Sequence, residues 1–250
     1  AQRGTLQKPC GTRNTGPASG PALGPELFSR DLSQTFIFLD QKIEKPAEPE
    51  SKGVPIGFKV PADVPTGGIA LVGARVITMG ADKAAGVIEN GTIVVDRNRI
   101  VQVGSSSAVK PPSGTNVIDV SGKTIIPGLI DVHAHVDSEN DGILAESSWP
   151  LVANLAFGVT TSHDPSNDTE MVFTNAELIR AGVKLGPRLF STGTILYGAE
   201  TAFKAVVESY EDALSHLRRM KSVGAFSVKS YNQQRRDARQ MIIKAGRELQ

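Results

Sequence analysis

The sequence lacks three features that would restrict its class of function. It has a single cysteine, Cys10, which cannot form an internal disulfide and therefore leaves the cellular compartment open. It has no apolar run near the roughly 18 residues that span a bilayer, so we predict no membrane span. Its net charge is only +1 over 250 residues. That balance gives no electrostatic argument for binding nucleic acid or an acidic membrane surface.

The composition that is present is typical of a globular protein with one or two domains. Residues 1–25 are rich in Gly, Pro, Ser and Thr and cannot bury enough apolar surface to offset the entropy of ordering. We predict that residues 1–65 are a disordered N-terminal segment and linker, with one lone strand at residues 35–39. The chain starts at Ala1 and stops within helix-forming residues, so we expect both ends to be cuts.

Short strands separated by turn signals occupy residues 66–122. Residues 87–96 are predicted to hold two strands about an Asn90-Gly91 turn, and a polar turn is predicted at residues 96–98. The other strands are predicted at residues 69–79, 99–103 and 116–120. This spacing predicts a small antiparallel β-sandwich.

Strands and helices alternate over residues 123–250. The predicted strands are residues 125–136, 159–163, 188–195 and 226–231. The predicted helices lie near residues 150–157, 168–181 and 210–223, and a last helix starts at about residue 233. Ser209 and Asp212 form a capping-box signature at the start of the third helix. This order predicts a parallel sheet with helices outside it.

A pair of histidines, His133 and His135, lies within the first of these predicted strands. Residues two apart in a strand share a face, so both imidazoles point the same way, together with Asp131. The intervening apolar residues point towards covering helices, and these are Ile130, Val132, Ala134 and Val136. Two adjacent imidazoles can bind one metal ion without moving. The Asp131 carboxylate can orient one of the rings from the side away from the metal. The alternative is two ordinary histidines hydrogen-bonded in a cleft.

Several of these segments resemble one enzyme superfamily. Residues 122–136 resemble the first barrel strand of the amidohydrolase superfamily, and residues 69–120 resemble the small β-sandwich before that barrel. Residues 158–165 and 186–188 resemble the second and third strands of its imidazolonepropionase-like branch. Residues 26–68 resemble the segment that links a TolB-like β-propeller to such a barrel in larger fused proteins.

The resemblance implies an α/β fold, a truncated (β/α)8 TIM-type barrel made of its first four strand–helix units and preceded by the β-sandwich. Residues 123–250 would be the N-terminal half of the barrel, and residues 1–65 a remnant of the propeller. A divalent metal, zinc as one or two ions, is expected at His133 and His135. Lys229 matches the position of the family's bridging lysine, which is carboxylated in many members. Asp131 would support the ligands from behind.

The implied activity is a metal-dependent hydrolase that uses metal-activated water on C–N bonds of small molecules, outside ordinary peptide bonds. The family's histidines on strands five and six, and its proton-handling aspartate on strand eight, have no match in these residues. A half-barrel also leaves a sheet edge open. We therefore expect the fragment alone to be inactive and to bind zinc weakly. The resemblance favours a periplasmic or secreted location over a cytoplasmic one.

Two other functions compete with this one. The first is a non-catalytic periplasmic interaction scaffold, in which the barrel contacts an attached propeller and the metal site is vestigial. The second is a carbohydrate or nucleotide enzyme on a similar barrel. The second is disfavoured because neither paired carboxylates nor a Gly-rich phosphate loop is found at the predicted strand ends.

A few other polar residues are candidates for site roles. His163, at the end of the second predicted strand, and Tyr231 with Asn232, at the end of the fourth, are candidate substrate contacts. His216 is predicted to be a solvated residue on the outer face of its helix. The basic residues at 235, 236 and 239 are interpreted as a solvated helix face rather than a phosphate site.

Overall fold

The chain divides into two units. The structure, a computed structural model, describes residues 18–23, 26–30, 53–80, 86–136, 143–199, 201–202, 204–232 and 235–250. One unit is Ala62–Leu129 with Gly158–Thr160, and the other contains Ile130–Phe157 and Thr161–Gln250 together with the residues up to Pro61. Among the described helices, none combines the length and apolarity needed to cross a membrane.

Three short strands lie in the region predicted to be disordered segment and linker. They are β1 (Ala18–Leu23), β2 (Glu26–Arg30) and β3 (Val54–Pro55), and both pairings are antiparallel. The structure differs from the prediction here because a ladder uses backbone groups and does not require large apolar side chains. The strand predicted at residues 35–39 lies outside the described residues.

A five-stranded mixed sheet forms the first unit. Its strands are β4 (Gly68–Ile77), β5 (Val87–Asp96), β6 (Arg99–Ser105), β7 (Asn116–Asp119) and β8 (Thr124–Ile125). The order is β6-β5-β4-β7, and β8 also pairs with β4. The predicted antiparallel arrangement is wrong for two strands, because β7 and β8 both run parallel to β4. The chain leaves β6 at one edge and crosses to the far side of β4 before β7 begins.

The Asn90-Gly91 pair lies inside β5 and does not form the predicted turn. Gly91 pairs with both neighbouring strands, and the register on β4 shifts on either side of Ala74. A Cβ at Gly91 would lie 2.7 Å from the Val76 side chain, so glycine here permits close strand packing. The predicted turn at residues 96–98 is confirmed, with Arg97 at a φ of 53° between the paired Asp96 and Arg99.

The predicted alternation of strands and helices is confirmed over residues 129–250. The strands are β9 (Leu129–Asp131), β10 (Val159–Asp164), β11 (Arg188–Ser191), β12 (Ile195–Leu196) and β13 (Lys204–Ala205). The four helices are α1 (Trp149–Ala156), α2 (Thr169–Arg180), α3 (Tyr210–Ser222) and α4 (Arg236–Glu248). Strands β11, β10 and β9 form one sheet, in which β10 and β11 are parallel. The predicted capping box between Ser209 and Asp212 is also present.

Three predicted strands are shorter in the structure. The segment 125–136 is divided between β8 and β9, because Pro127 has no N–H with which to continue a ladder. The segment 188–195 breaks at Gly193, whose φ of 61° turns the backbone between β11 and β12. The fourth strand, predicted at residues 226–231, is reduced to a single parallel bridge between Leu196 and Ser230.

Helices α1 and α2 cover one face of the β9–β11 sheet. Leu151 of α1, Phe173 of α2 and Leu189 of β11 belong to one buried cluster. Alternate residues of β10 and β11 are buried on that face, namely Ser162, Asp164, Leu189 and Ser191. A second cluster joins α3 and α4 to Leu196 of β12. The site described next therefore rests on a packed helical layer.

Replacing Leu151 with alanine tests this core. The side chain is fully buried among apolar neighbours, so we expect the free energy of unfolding in urea to fall by about 2–5 kcal/mol. Phe157→Ala, just after the same helix, is the matched control because that ring is 81% exposed. A loss of less than about 1 kcal/mol is expected there. Equal losses for the two variants would contradict the packing described.

Candidate metal site at the end of strand β9

The two predicted metal ligands lie just beyond β9, in a segment that remains bonded to β10. The Ala134 N–H donates to the His163 carbonyl at 3.0 Å, which extends the parallel ladder past Asp131. Ala134 and Val136 are buried, whereas His133 and His135 are exposed. This alternation places both imidazoles on the face opposite the helices.

Two residues of the predicted buried face are not buried. Ile130 is 66% exposed and Val132 is 73% exposed, so the prediction that both point towards covering helices is wrong. The helices pack instead over Ala134 and Val136, which share a cluster with Leu151. A turn directly after β9 separates Val132 from that cluster.

The His133 and His135 rings lie side by side. Their centroids are 5.0 Å apart and their planes are 75° apart. Two imidazoles that bind one tetrahedral ion at about 2.1 Å place their centroids roughly 5 Å apart, so the spacing and the nitrogen donor set fit a divalent cation such as zinc. Within the residues that the structure describes, no group of three or more His, Cys, Asp or Glu side chains is close enough to hold a metal.

A buried carboxylate, Asp164, lies behind this pair. Its side chain is 1% exposed, and one of its oxygens lies 3.6 Å from Nδ1 of His135. The sequence interpretation assigned Asp164 no place in the metal site. The sequence could have predicted this position for Asp164. Side chains alternate along residues 159–164, which puts Asp164 and His163 on opposite faces of the strand.

Asp131 has a backbone partner. Its Oδ1 accepts the His133 backbone N–H at 3.0 Å, which fixes the turn after β9. The sequence predicts that this carboxylate orients an imidazole ring from behind. The described contact acts on the backbone of the ligand segment.

His163, a predicted substrate contact, lies on the imidazole face. Its Nε2 is 2.9 Å from Oγ of Ser227, and its ring centroid is 5.5 Å from that of Phe226. Phe190, paired with His163 across β10 and β11, contacts the same Phe226 ring edge-on at 5.6 Å. Ser227 and Phe226 were missed because they are 64 and 63 residues away in sequence, and no local pattern reports such a contact.

The remaining predicted residues lie beside β12. The backbone carbonyl of Lys229 accepts the Leu196 N–H. The Nζ atom of Lys229 lies 4.7 Å from the Tyr231 ring centroid in a cation–π contact. Tyr231 also contacts Tyr197 at 5.5 Å. Asn232 is exposed. The described contacts of Lys229 do not join it to the imidazole pair, so its role as a ligand stays a prediction.

The prediction that His216 is solvated is wrong. This residue is 2% exposed, and its Nε2 lies 3.1 Å from the Thr194 carbonyl. It was predicted to be solvated because arginines follow it, but it falls on the same helix face as Ala213 and Met220. Burial, with a smaller contribution from the charge on Arg219, lowers the pKa of His216 to about 4.

Two curated enzymes resemble about half of this chain. No family model matches the chain. It is 27% identical over 119 residues to an imidazolonepropionase of Streptomyces griseus, covering 46% of this chain and 30% of that enzyme. It is 30% identical over 137 residues to a dihydroorotase of Geobacter metallireducens, covering 53% and 31%. The chain thus spans less than a third of the length of these two curated relatives.

Solved structures share the fold. A Xaa-Pro dipeptidase matches with a TM-score of 0.53 at 17% identity, covering 73% of this chain and 54% of that one. Phenylurea hydrolase B matches with a TM-score of 0.55 at 19% identity, covering 72% and 53%. These structures show a mixed α/β fold of the same kind, and the two curated enzymes support the resemblance to the amidohydrolase superfamily.

The burial of His216 predicts a specific loss of stability in acid. Its pKa is about 4 in the folded chain and about 6.5 when unfolded, so the unfolded state binds the proton more tightly between these values. The stability it contributes is complete above about pH 6.5 and is lost as the pH falls through 4. Between about pH 7.5 and 4.5, we expect wild type to lose roughly 2–3 kcal/mol that His216→Gln does not lose.

Urea unfolding of both proteins across this pH range measures that difference. The glutamine retains an N–H for the Thr194 carbonyl and does not titrate. All other titrating groups are common to the two proteins, so their contributions cancel. A constant difference between the two free energies of unfolding would show that His216 is not buried as a neutral ring.

Proposed function

We propose that this chain carries the first metal-binding strand of a metal-dependent amidohydrolase, which hydrolyses C–N bonds outside ordinary peptides. The observation that supports the proposal most strongly is the imidazole pair, with centroids 5.0 Å apart on an exposed face. The similarity to an imidazolonepropionase and a dihydroorotase adds support, because each of these enzymes aligns with about half of this chain.

His133 and His135 would hold the cation, which we propose to be zinc as one or two ions. Lys229, carboxylated on Nζ, is the proposed bridging ligand. When bound, the metal supplies Lewis acidity that activates water and polarises the scissile carbonyl. The chain's own residues bind the ion through imidazole nitrogen and keep the ligand segment fixed on β10. His163, Tyr231 and Asn232 are the proposed substrate contacts.

The wider architecture is also a proposal. We propose that residues 123–250 are the first four strand–helix units of a (β/α)8 barrel, with the site at the carboxyl ends of its strands. A TolB-like propeller is proposed as an attached domain, in a periplasmic or secreted protein. The reaction belongs to the whole protein, because the chain spans less than a third of these two relatives.

A non-catalytic scaffold with a vestigial metal site is the second candidate. Among the described residues, no group of three or more His, Cys, Asp or Glu side chains could hold a metal, which is expected of either candidate. Sequence on either side of these residues separates the two candidates. Histidines on strands five and six and an aspartate on strand eight would favour the enzyme.

Cobalt(II) provides a direct test of metal binding. Paramagnetic Co²⁺, added to the isotope-labelled chain, should broaden the ring signals of His133 and His135 in NMR spectra at stoichiometric to millimolar concentration. The chain has four histidines; His216, which is buried against the Thr194 carbonyl, serves as the internal control and should broaden much less. In the single variants His133→Asn and His135→Asn, the ring of the remaining histidine should lose the selective broadening. Equal broadening of all four rings would contradict the proposed site.

Activity is tested on the longest protein that contains these residues. Metal-loaded protein should hydrolyse at least one member of a panel of cyclic amides and N-acyl amines. His133→Asn and His135→Asn should each reduce kcat/KM by at least about 100-fold, because each removes a ligand. Selective metal binding without turnover on any panel member would favour the scaffold.

A further inference from the structure

The carboxylate of Asp164 is buried and accepts three N–H donors. Its Oδ2 accepts the Val136 N–H at 3.2 Å and an N–H of the Asn167 side chain at 2.8 Å. Its Oδ1 accepts the Ser166 N–H at 3.0 Å. These three bonds fix the orientation of the carboxylate, because each approaches from a different part of the backbone or side chain.

One of these bonds ties Asp164 directly to the ligand segment. Val136 follows His135, so the bond from its N–H fixes the backbone of His135 relative to the carboxylate. The Asn167 side chain adds a second link, since it also approaches the Val136 carbonyl at 3.5 Å. The hydrogen bonds of the backbone next to His135 therefore help to determine where its ring lies relative to Asp164, together with the side-chain torsions of His135.

The His135 ring presents Nδ1 to this fixed carboxylate. Nδ1 lies 3.6 Å from Oδ1 of Asp164, beyond the hydrogen-bond range, so the interaction is electrostatic. A neutral imidazole carries its proton on one nitrogen and a lone pair on the other. An N–H dipole is attracted by the anion, whereas a lone pair is repelled, and burial of the carboxylate strengthens both effects. The arrangement therefore favours a proton on Nδ1.

We infer that Asp164 is the positioning residue for His135, holding the Nδ1–H tautomer so that Nε2 keeps the lone pair that binds the cation. The inference rests on the proposed function and assigns to Asp164 the role that the sequence suggested for Asp131. The contrast between the two acids is structural. Asp131 contacts a backbone N–H of the segment, and Asp164 faces a ring nitrogen.

Nitrogen-15 NMR of the metal-free chain at about pH 8.5 tests the inference, since neutral imidazole tautomers are distinguished by their ring nitrogen shifts. Wild-type His135 should be predominantly protonated on Nδ1. Asp164→Asn should shift the tautomer ratio at His135 towards Nε2–H by about tenfold and weaken cobalt binding by about 10-fold or more. Asp131→Asn, the matched control, should leave the His135 ratio unchanged.

The outcomes separate this inference from the proposed function. A proton on Nε2 of wild-type His135 overturns the inference, and so does an equal shift in the two variants. The wild-type measurement decides even if Asp164→Asn does not fold. Selective cobalt broadening with the wrong tautomer defeats only the inference. The expected tautomer without cobalt binding at the pair contradicts the proposed function, and with it the metal-positioning role.

Discussion

The attachment of residues 133–136 to strand β10 is the constraint on which the candidate site depends. Two backbone N–H groups anchor this segment, one to the carbonyl of His163 and one to the side chain of Asp164. Their spacing forces alternation, so Ala134 and Val136 enter the helical core and the two histidines face the other way. Without this attachment, a segment beyond the end of a strand would have no fixed face.

The buried and exposed faces of the segment support each other. Ala134 and Val136 bury small and β-branched side chains against α1 and α2, a gain that disappears if the segment slips by one residue. Such a slip would also bury two imidazoles in an apolar layer, which is costly without partners. Packing of the helices therefore specifies the orientation of the ligands, although no helix contributes a ligand.

The sequence predicted the parts of the fold that depend on local pattern. All four described helices, the capping box at Ser209, and the order of strands and helices follow from periodicity and end signals. Features set by distant partners were not predictable. The parallel pairing of β7 and β8 with β4, and the contact between His216 and the Thr194 carbonyl, depend on distant partners that leave no local mark.

The same division applies to the candidate site. The shared face of His133 and His135 follows from a period of two, and the structure brings the rings together. Asp164 behind His135, and Ser227 beside His163, join residues separated by 29 or more positions along the chain. The residue types of Asp164 and Ser227 did not identify them as site residues. A buried Asp and a Ser near the end of a strand are also common in hydrogen bonds with a purely structural role.

Zinc X-ray absorption of the metal-loaded chain tests the central claim most directly. If the two imidazoles jointly hold the ion, the spectrum should contain a nitrogen shell at about 2.0–2.1 Å with the outer-shell scattering of two imidazole rings. That scattering should disappear in the chain that carries asparagine at positions 133 and 135. Identical spectra for the two proteins, or a metal shell without imidazole scattering in the wild type, would contradict the account.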